Sequence, residues 1–437
     1  METTARTSLG RRLDTRTARV CVVGQGYVGL SLAAAAAVEG FHVTGIDVDA
    51  ERVAALAGGE LVVPGVEEAL FVQAAESGRL GFGSDYDPVA TADVVVICVP
   101  TPVHEHRPDL SMVESAGRAV GERLRRGALV ILESTTYPGT TEQVLRPLLE
   151  RPRFRAGQQF WLAFSPERID PGNVKYGLRT TPRVVGGIDE ASTELAAAFY
   201  STVVDDVNPV SGCRTAEMAK LLENTFRMVN IALVNELSAL CAEQGIDTWE
   251  VIEAAATKPF GFMPFHPGPG VGGHCIPLDP TYLAWQSRRD TGRPFRLVEL
   301  AQDINAEMPA YVARRIGDAL GDRGVPLPRA EVMALGVTYK PDVGDLRESA
   351  AVKTLEMLAA KGARIRYHDP FVPRLQTDVL RLRRTPLTAA NLEAADAVVV
   401  LTPHSQYDLD ALTRRAGFVF DARNALRRRG DDRVVTL

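Results

Sequence analysis

Six residues, Gly24-Gln-Gly-Tyr-Val-Gly29, restrict the opening of this chain more than anything else in it. They follow a short apolar run, residues 19–23, and precede an alanine-rich run, residues 30–39, that Gly40 stops. A second apolar run, residues 41–46, then ends at Asp47. Strand, glycine turn, helix, strand and acid, in that order, make a βαβ nucleotide-binding unit. Gly24 permits the tight turn, Gly26 lets backbone approach a pyrophosphate, and Gly29 packs helix against strand. The helix N-terminus faces the phosphates with its partial positive charge. Asp47 can accept a hydrogen bond from a ribose 2′-hydroxyl and would repel a 2′-phosphate, so NAD is expected rather than NADP. Arg52 is the residue that softens that preference.

Further apolar runs extend the pattern. Residues 93–99 end at Pro100-Thr101-Pro102, residues 128–132 at Glu133-Ser-Thr135-Thr-Tyr-Pro-Gly139, and residues 160–164 at Ser165-Pro-Glu167-Arg168. Residues 182–185 precede Gly186-Gly187. Continuously apolar strands between helical stretches predict a mostly parallel sheet covered on both faces, with ligands at its carboxyl ends. From 215 to 244 one helical pattern runs without Pro or Gly, its core face drawn from Met218, Leu221, Leu222, Met228 and Leu233. A Pro/Gly-dense loop, 258–280, and a helix-rich stretch to about 320 follow. Residues 331–336, 363–367, 397–401 and 418–420 then read as strands of a second α/β block that lacks a Gly-x-Gly-x-x-Gly. The expected domains are a disordered arm (1–17), a nucleotide-binding block (18–210), a central helical, dimer-forming element (211–325) and a second α/β block (326–437).

Composition narrows the function classes. The apolar runs 33–38 and 94–99 fall far short of the roughly 20 residues that span a bilayer. Lys+Arg 49 against Asp+Glu 55 gives a net charge of -6, which argues against a nucleic-acid scaffold. Residues 1–18 carry Arg6, Arg11, Arg12 and Arg16 but no apolar core, so they are not a secretory signal. Five cysteines, an odd and sparse set, fit a reducing cytoplasm and no disulfide framework. His104, His106, His266, His274, His368 and His404 show no metal-ligand spacing, and no metal is expected.

One cysteine stands apart. Cys275 follows Gly272-Gly273-His274 and precedes Asp279-Pro280, an N-cap and N1 pair that predicts a helix starting there. A thiol just upstream of a helix N-terminus favours its thiolate. Beside NAD, such a thiol can form a thiohemiacetal with an aldehyde, which becomes a thioester on loss of hydride. Cys21, Cys98 and Cys241 lie in apolar runs and read as structural, as does Cys213. Lys220 and Asn224, four apart on one helix face, are either solvated or a cation and an amide aimed at a developing oxyanion. Lys340, Arg347 and Arg423 follow strands of the last block, where cations bind diphosphate; spacing alone leaves salt bridges to Asp342, Asp345 and Glu348 equally open.

These residues resemble the UDP-glucose/GDP-mannose dehydrogenase family, from Ala18 to the C-terminus, and within it the bacterial UDP-N-acetylglucosamine 6-dehydrogenases. The resemblance is carried by Glu133-Ser-Thr-Thr-Tyr-Pro-Gly-Thr-Thr141, Ser165-Pro-Glu-Arg168, Ala216-Glu-Met-Ala-Lys-Leu-Leu-Glu-Asn-Thr225, Lys258-Pro-Phe-Gly-Phe-Met-Pro264 and Pro267-Gly-Pro-Gly-Val-Gly-Gly-His-Cys-Ile-Pro277. Where glucose-type members commonly have Phe-Gly-Gly-Ser-Cys, this chain has Val271-Gly-Gly-His-Cys275, which points to an N-acetylated sugar. The resemblance implies an N-terminal Rossmann-like NAD domain, a central long-helix dimerisation element and a C-terminal Rossmann-like UDP-binding domain. It implies NAD-dependent four-electron oxidation of a UDP-N-acetylhexosamine at C6, UDP-N-acetylglucosamine first, with UDP-glucose and UDP-N-acetylmannosamine as alternatives. A silent nucleotide-sugar-binding regulator is the remote alternative. Cys275 would be the nucleophile, Lys220 and Asn224 the oxyanion partners, Asp279 the helper of water or Lys220, and Thr135 and Glu167 the water holders. Gly24, Gly26, Tyr27, Val28, Gly29, Asp47, Arg52, Pro100, Thr101 and Thr135 would contact NAD. Glu167, Arg168, Lys220, Asn224, Phe265, Gly272, Gly273, Lys340 and Arg423 would contact the UDP-sugar. The implied protein is a cytoplasmic homodimer without nucleic-acid or membrane partners.

Overall fold

The computed structural model describes residues 2–104, 107–170, 173, 175–273, 275–427 and 431–437; His106 and His274 lie outside them. The chain divides into two compact units, residues 1–223 with 281–289 and residues 224–280 with 290–437. Among the described residues no helix is long and apolar enough to cross a membrane.

The first unit is built on eight strands: β1 Arg19–Val23, β2 His42–Ile46, β3 Leu80–Gly83, β4 Val94–Ile97, β5 Leu129–Leu132, β6 Trp161–Phe164, β7 Arg183–Gly187 and β8 Val207–Pro209. Their order is β8-β7-β6-β5-β4-β1-β2-β3, parallel throughout except where β6 meets β7. Every residue of β4, β5 and β6 is buried, as strands covered on both faces require. The strands the sequence pattern misses, β3 and β8, are the two outermost. One contains two glycines and the other ends in proline, residues tolerated at edges but not in sheet centres. The chain reverses direction across the sheet between β1 and β4, so a crevice opens above their carboxyl ends.

The N-terminal segment is not a disordered arm. Glu2–Asp14 forms helix α1, and Leu9 and Leu13, one turn apart, are fully buried. They enter the same core as the alanines of α2 (Tyr27–Val38) and as Leu195, Phe199 and Tyr200 of α3 (Glu190–Tyr200). Arg12 reaches the buried carboxylate of Asp93 at 2.8 Å. Two leucines at i and i+4 are enough for a one-sided helix; an arginine-rich composition hides them from a search for apolar runs.

The second unit carries the strands β9 Glu331–Leu335, β10 Arg364–His368, β11 Ala397–Val400, β12 Val419–Asp421 and β13 Val434–Thr436, all parallel, in the order β10-β9-β11-β12-β13. This too is a doubly wound sheet, with its switch point between β9 and β11. The long helical pattern is α4, Cys213–Gln244. Of the five residues expected on its core face two, Leu221 and Met228, are buried, while Met218, Leu222 and Leu233 are 41%, 63% and 61% exposed. With Phe226 and Leu240, also exposed, these form an apolar stripe at spacings of four and seven. A helix with two apolar sides gives the sequence no means of telling the inner one from the outer.

Candidate active site

The nominated residues fall into two sets, one in each unit. In the first, the glycine loop follows β1. Gly24 sits at φ +92, and a Cβ there would lie 2.7 Å from the Cys98 carbonyl oxygen. A Cβ on Gly29 would run into the Gly24 carbonyl, so only glycine lets α2 start this close to β1. Gly26 is the N-cap of α2; no side chain caps it, the first turn carries no acid, and a Cβ at Gly26 would meet nothing within 4 Å. An uncapped helix N-terminus with room beside its N-cap, leading into Tyr27 and Val28, fits a diphosphate. Asp47 is buried after β2, its Oδ2 accepting from Gln25 N (2.7 Å) and its Oδ1 from Asp49 N (2.9 Å). The nominated ribose acid thus also holds the glycine loop. Arg52 is drawn to Asp47 (3.0 Å) and Asp49 (3.4 Å). Pro100 and Thr101 follow β4, and the Thr101 hydroxyl donates to the Thr135 carbonyl (2.8 Å), joining the loops after β4 and β5.

Acids set the remainder of that strand-end surface. Glu217 of α4 accepts from Gly139 N, Thr141 N (2.9 Å) and the Thr141 hydroxyl (2.7 Å), pinning the turn beyond Thr135. Burial pushes its carboxyl up to about 7 against those three donors. Glu167, after β6, accepts from the N–H groups of Arg168 and Ile169, both at 2.6 Å. Arg168 forks onto Glu223 (2.9 Å) and donates to the Pro182 carbonyl (2.7 Å). Two residues that carried no role in the sequence, Glu133 and Arg183, form a buried ion pair here. Their signal was a charge at the edge of an apolar run, Glu133 after one and Arg183 before another. Lys220 and Asn224 lie one turn apart on α4, both buried.

In the second unit, the predicted helix start is corrected. Helix α5 spans Cys275–Thr291 and contains Pro280, so Asp279 is an interior residue rather than an N-cap. The ring at 280 forfeits one early hydrogen bond without ending the helix. Cys275 therefore opens the helix, with its residue exposed, as a nucleophile needs. Asp279 is buried and accepts from the Asn224 side-chain amide at 2.6 Å. The carboxylate thereby orients that amide.

The glycine loop before Cys275 is docked on the loops after β9. Gly273 donates to the Arg347 carbonyl (3.0 Å) at φ +85, and a Cβ there would lie 2.8 Å from the Tyr339 ring. A Cβ on Gly272 would lie 2.7 Å from the Glu348 carbonyl oxygen. Phe265 meets Phe226 edge to face at 5.7 Å. Lys340 lies in a loop that a buried pair holds: His404 Nε2 is 2.9 Å from Asp369, and His404 Nδ1 accepts from Asp342 N (3.0 Å). Arg423 follows β12, donates to the Leu401 carbonyl (3.2 Å), and places its guanidinium where a Cβ on Gly268 would stand. Burial lowers its pKa to about 10, so it stays cationic at neutral pH. Arg347 is ion-paired to Asp345 (2.6 Å), and Glu348 to Lys353 (2.7 Å); for Arg347 the salt-bridge reading applies.

Comparison with known proteins places both units. Residues 18–204 match the NAD binding domain of the UDP-glucose/GDP-mannose dehydrogenase family, 214–307 its central domain and 333–428 its UDP binding domain. The UDP-N-acetyl-D-mannosamine dehydrogenase of Pyrococcus horikoshii is 35% identical over 417 residues, 94% of this chain and 96% of its own. Its solved structure matches with a TM-score of 0.82 at 34% identity, covering 93% of this chain and 95% of that one. The enzyme of the same name from Escherichia coli K12 is 36% identical over 403 residues, 89% of this chain and 94% of its own. A UDP-glucose dehydrogenase structure from Pyrobaculum islandicum matches with a TM-score of 0.81 at 30% identity, covering 93% and 94%. The chain belongs to the UDP-glucose/GDP-mannose dehydrogenase family and is an NAD-dependent nucleotide-sugar dehydrogenase.

Proposed function

We propose that the protein oxidises the C6 alcohol of a UDP-N-acetylhexosamine to the uronic acid, and that the N-acetylmannosamine epimer is its substrate. The observation that carries this reading is the exposed Cys275 at the head of α5, on a glycine loop fastened to the strand ends that bear Lys340 and Arg423. The sequence pattern favours the gluco epimer; the relatives named above favour the manno epimer, and the similar fold of a UDP-glucose enzyme does not separate the sugars. Residues 18–210, 211–325 and 326–437 divide the work as NAD-binding, helical and UDP-binding parts.

Bound NAD supplies a hydride acceptor for each of two oxidations, held by the α2 N-terminus, Asp47 and the loops of Thr101 and Thr135. Cys275 Sγ bonds to the C6 carbon at the aldehyde level, which keeps the aldehyde from escaping, and the thiohemiacetal yields a thioester on losing hydride. Lys220 and the Asn224 amide stabilise the oxygen that becomes negative, with Asp279 holding the amide. Glu167 and Thr135 hold the water that releases the acid and restores the thiol. The sum is one alcohol, two NAD and one water giving one carboxylate, two NADH and three protons. Lys340 and Arg423 hold the diphosphate end, with Arg168, Phe265, Gly272 and Gly273 completing the sugar contacts. The exposed stripe of α4 is the surface by which two copies pair in the cytoplasm.

The test is NADH formation across UDP-N-acetylmannosamine, UDP-N-acetylglucosamine and UDP-glucose. Two NADH per sugar with the manno epimer fulfils the proposal. One NADH per sugar overturns the thioester route, preference for another sugar overturns the substrate, and binding without turnover returns the protein to a regulator. Light scattering that gives the mass of a single chain overturns the dimer.

A further inference from the structure

Four side chains that the scheme above does not use meet behind Glu167: Cys98 and Glu133 at the carboxyl ends of β4 and β5, Arg183 at the amino end of the antiparallel β7, and Tyr200 at the end of α3. Glu133, the residue after β5, is 1% exposed. Its Oε1 accepts from Arg183 Nη1, and its Oε2 from the Tyr200 hydroxyl of α3 (3.2 Å) and the Cys98 thiol after β4 (3.5 Å). Arg183 of β7, also buried, donates to the Pro166 carbonyl (3.1 Å) and stands 4.9 Å from the centre of the Tyr200 ring. Its Nη2 lies 3.2 Å from Glu167 Oε2, the buried oxygen of that carboxylate that lacks a well-aligned hydrogen bond.

The charge count decides what this cluster does. Burial pushes the Cys98 thiol and the Tyr200 phenol well up, so both are neutral. Two carboxylates then share one guanidinium. With both ionised, one negative charge stands uncompensated out of water, a state that uptake of a single proton removes. Burial pushes Glu133 up to about 7, opposed by Arg183 and reinforced by Glu167. Glu133 is therefore the group that takes up this proton, close to neutral pH.

We propose that Glu133 and Arg183 are positioning residues for Glu167: Arg183 fixes the orientation of its carboxylate, and Glu133, sharing that guanidinium, takes up the cluster's proton and so sets the acid limb of turnover. The inference rests on the proposed role of Glu167 in holding water.

Glu133→Gln keeps the shape and removes one charge, leaving Arg183 to Glu167 alone. The acid limb of the kcat profile then moves down by about one pH unit or more, while KM for the UDP-sugar changes little. Tyr200→Phe removes one donor from Glu133, raises the cluster's proton affinity, and moves the limb up. In ligand-free enzyme, the infrared carboxyl band that titrates near neutrality is diminished in Glu133→Gln. Limbs that stay in place in both variants, or an undiminished band, overturn the proposal; should Glu133→Gln not fold, the Tyr200→Phe limb decides. Glu167→Gln separates the two levels. Full turnover in that variant overturns the role of Glu167 and this inference with it, whereas lost turnover beside unmoved limbs overturns this inference alone.

Discussion

Asp47→Asn tests the cofactor reading with a number attached. In the native protein Asp47 and Asp49 face Arg52 at 3.0 and 3.4 Å, a local charge of one negative unit after the arginine is counted. The substitution brings that charge to zero. A 2′-phosphate carries about −1.5 to −2. At about 4 Å a unit pair is worth about 1 kcal/mol in water and about 4 kcal/mol at an effective dielectric constant near 20. Arg52 is 35% exposed, so the lower end applies, and roughly 1.5–2 kcal/mol of repulsion toward NADP is removed. NAD meanwhile loses a charge-assisted hydrogen bond, about 1.5–3 kcal/mol. Together the NADP-to-NAD ratio of kcat/KM should rise by about 3–5 kcal/mol, or roughly 100- to 1000-fold and more. The assay is NADH or NADPH absorbance at saturating UDP-sugar, with thermal unfolding as the control, because Asn retains an acceptor for only one of Gln25 N and Asp49 N. A ratio that moves less than threefold at unchanged Tm would refute the placement of Asp47 at the ribose.

Three further outcomes follow from the geometry. On the proposed covalent route, Cys275→Ala should lower turnover by roughly a thousandfold or more; substantial NADH formation by this variant contradicts that route. Gly273→Ala forces a side chain into φ +85 and against the Tyr339 ring, costing about 1–3 kcal/mol in chemical denaturation and depressing kcat, while Gly81→Ala, with open space around it, leaves both unchanged. Glu217 is buried with its carboxyl at about 7, above its unfolded value, so its stabilising contribution is complete below about pH 4.5 and is lost as pH rises through about 7. Native unfolding free energy should accordingly fall by up to about 3 kcal/mol between about pH 5 and pH 8, and Glu217→Gln should flatten that slope while losing stability at pH 5.5, where its amide meets the donors of Gly139 and Thr141.

What the sequence disclosed was local. The β1–Gly24–α2–β2–Asp47 unit is legible because strand, turn, helix and acid are neighbours in the chain and each residue type has a single reason to be there. The strands of the second sheet were legible for the same reason. Pairings distant in sequence were not: Glu133 and Arg183 stand 50 residues apart, the one read as the residue ending an apolar run and the other lying unremarked inside the run 182–185. Asp279-Pro280 misled because a cap signature and an interior proline look alike until the preceding turn is seen to be helical. The two faces of α4 were indistinguishable because apolar content alone does not say which side meets the protein's own core. Arg347 illustrates a different limit. Cations at strand ends invite a phosphate, but a carboxylate two residues away claims this one.

Helix α1 has a practical consequence for anyone trimming the chain to its recognisable domains. Cutting ahead of residue 18 deletes Leu9 and Leu13, each fully buried, and uncovers the flank of α3 that they seal. Loss of each leucine is worth about 2–5 kcal/mol, a large share of what a whole domain has to spare. The cut also takes Arg12 from Asp93. A shortened protein should therefore express poorly or clump, and a purification handle is better placed upstream of the intact helix than substituted for it.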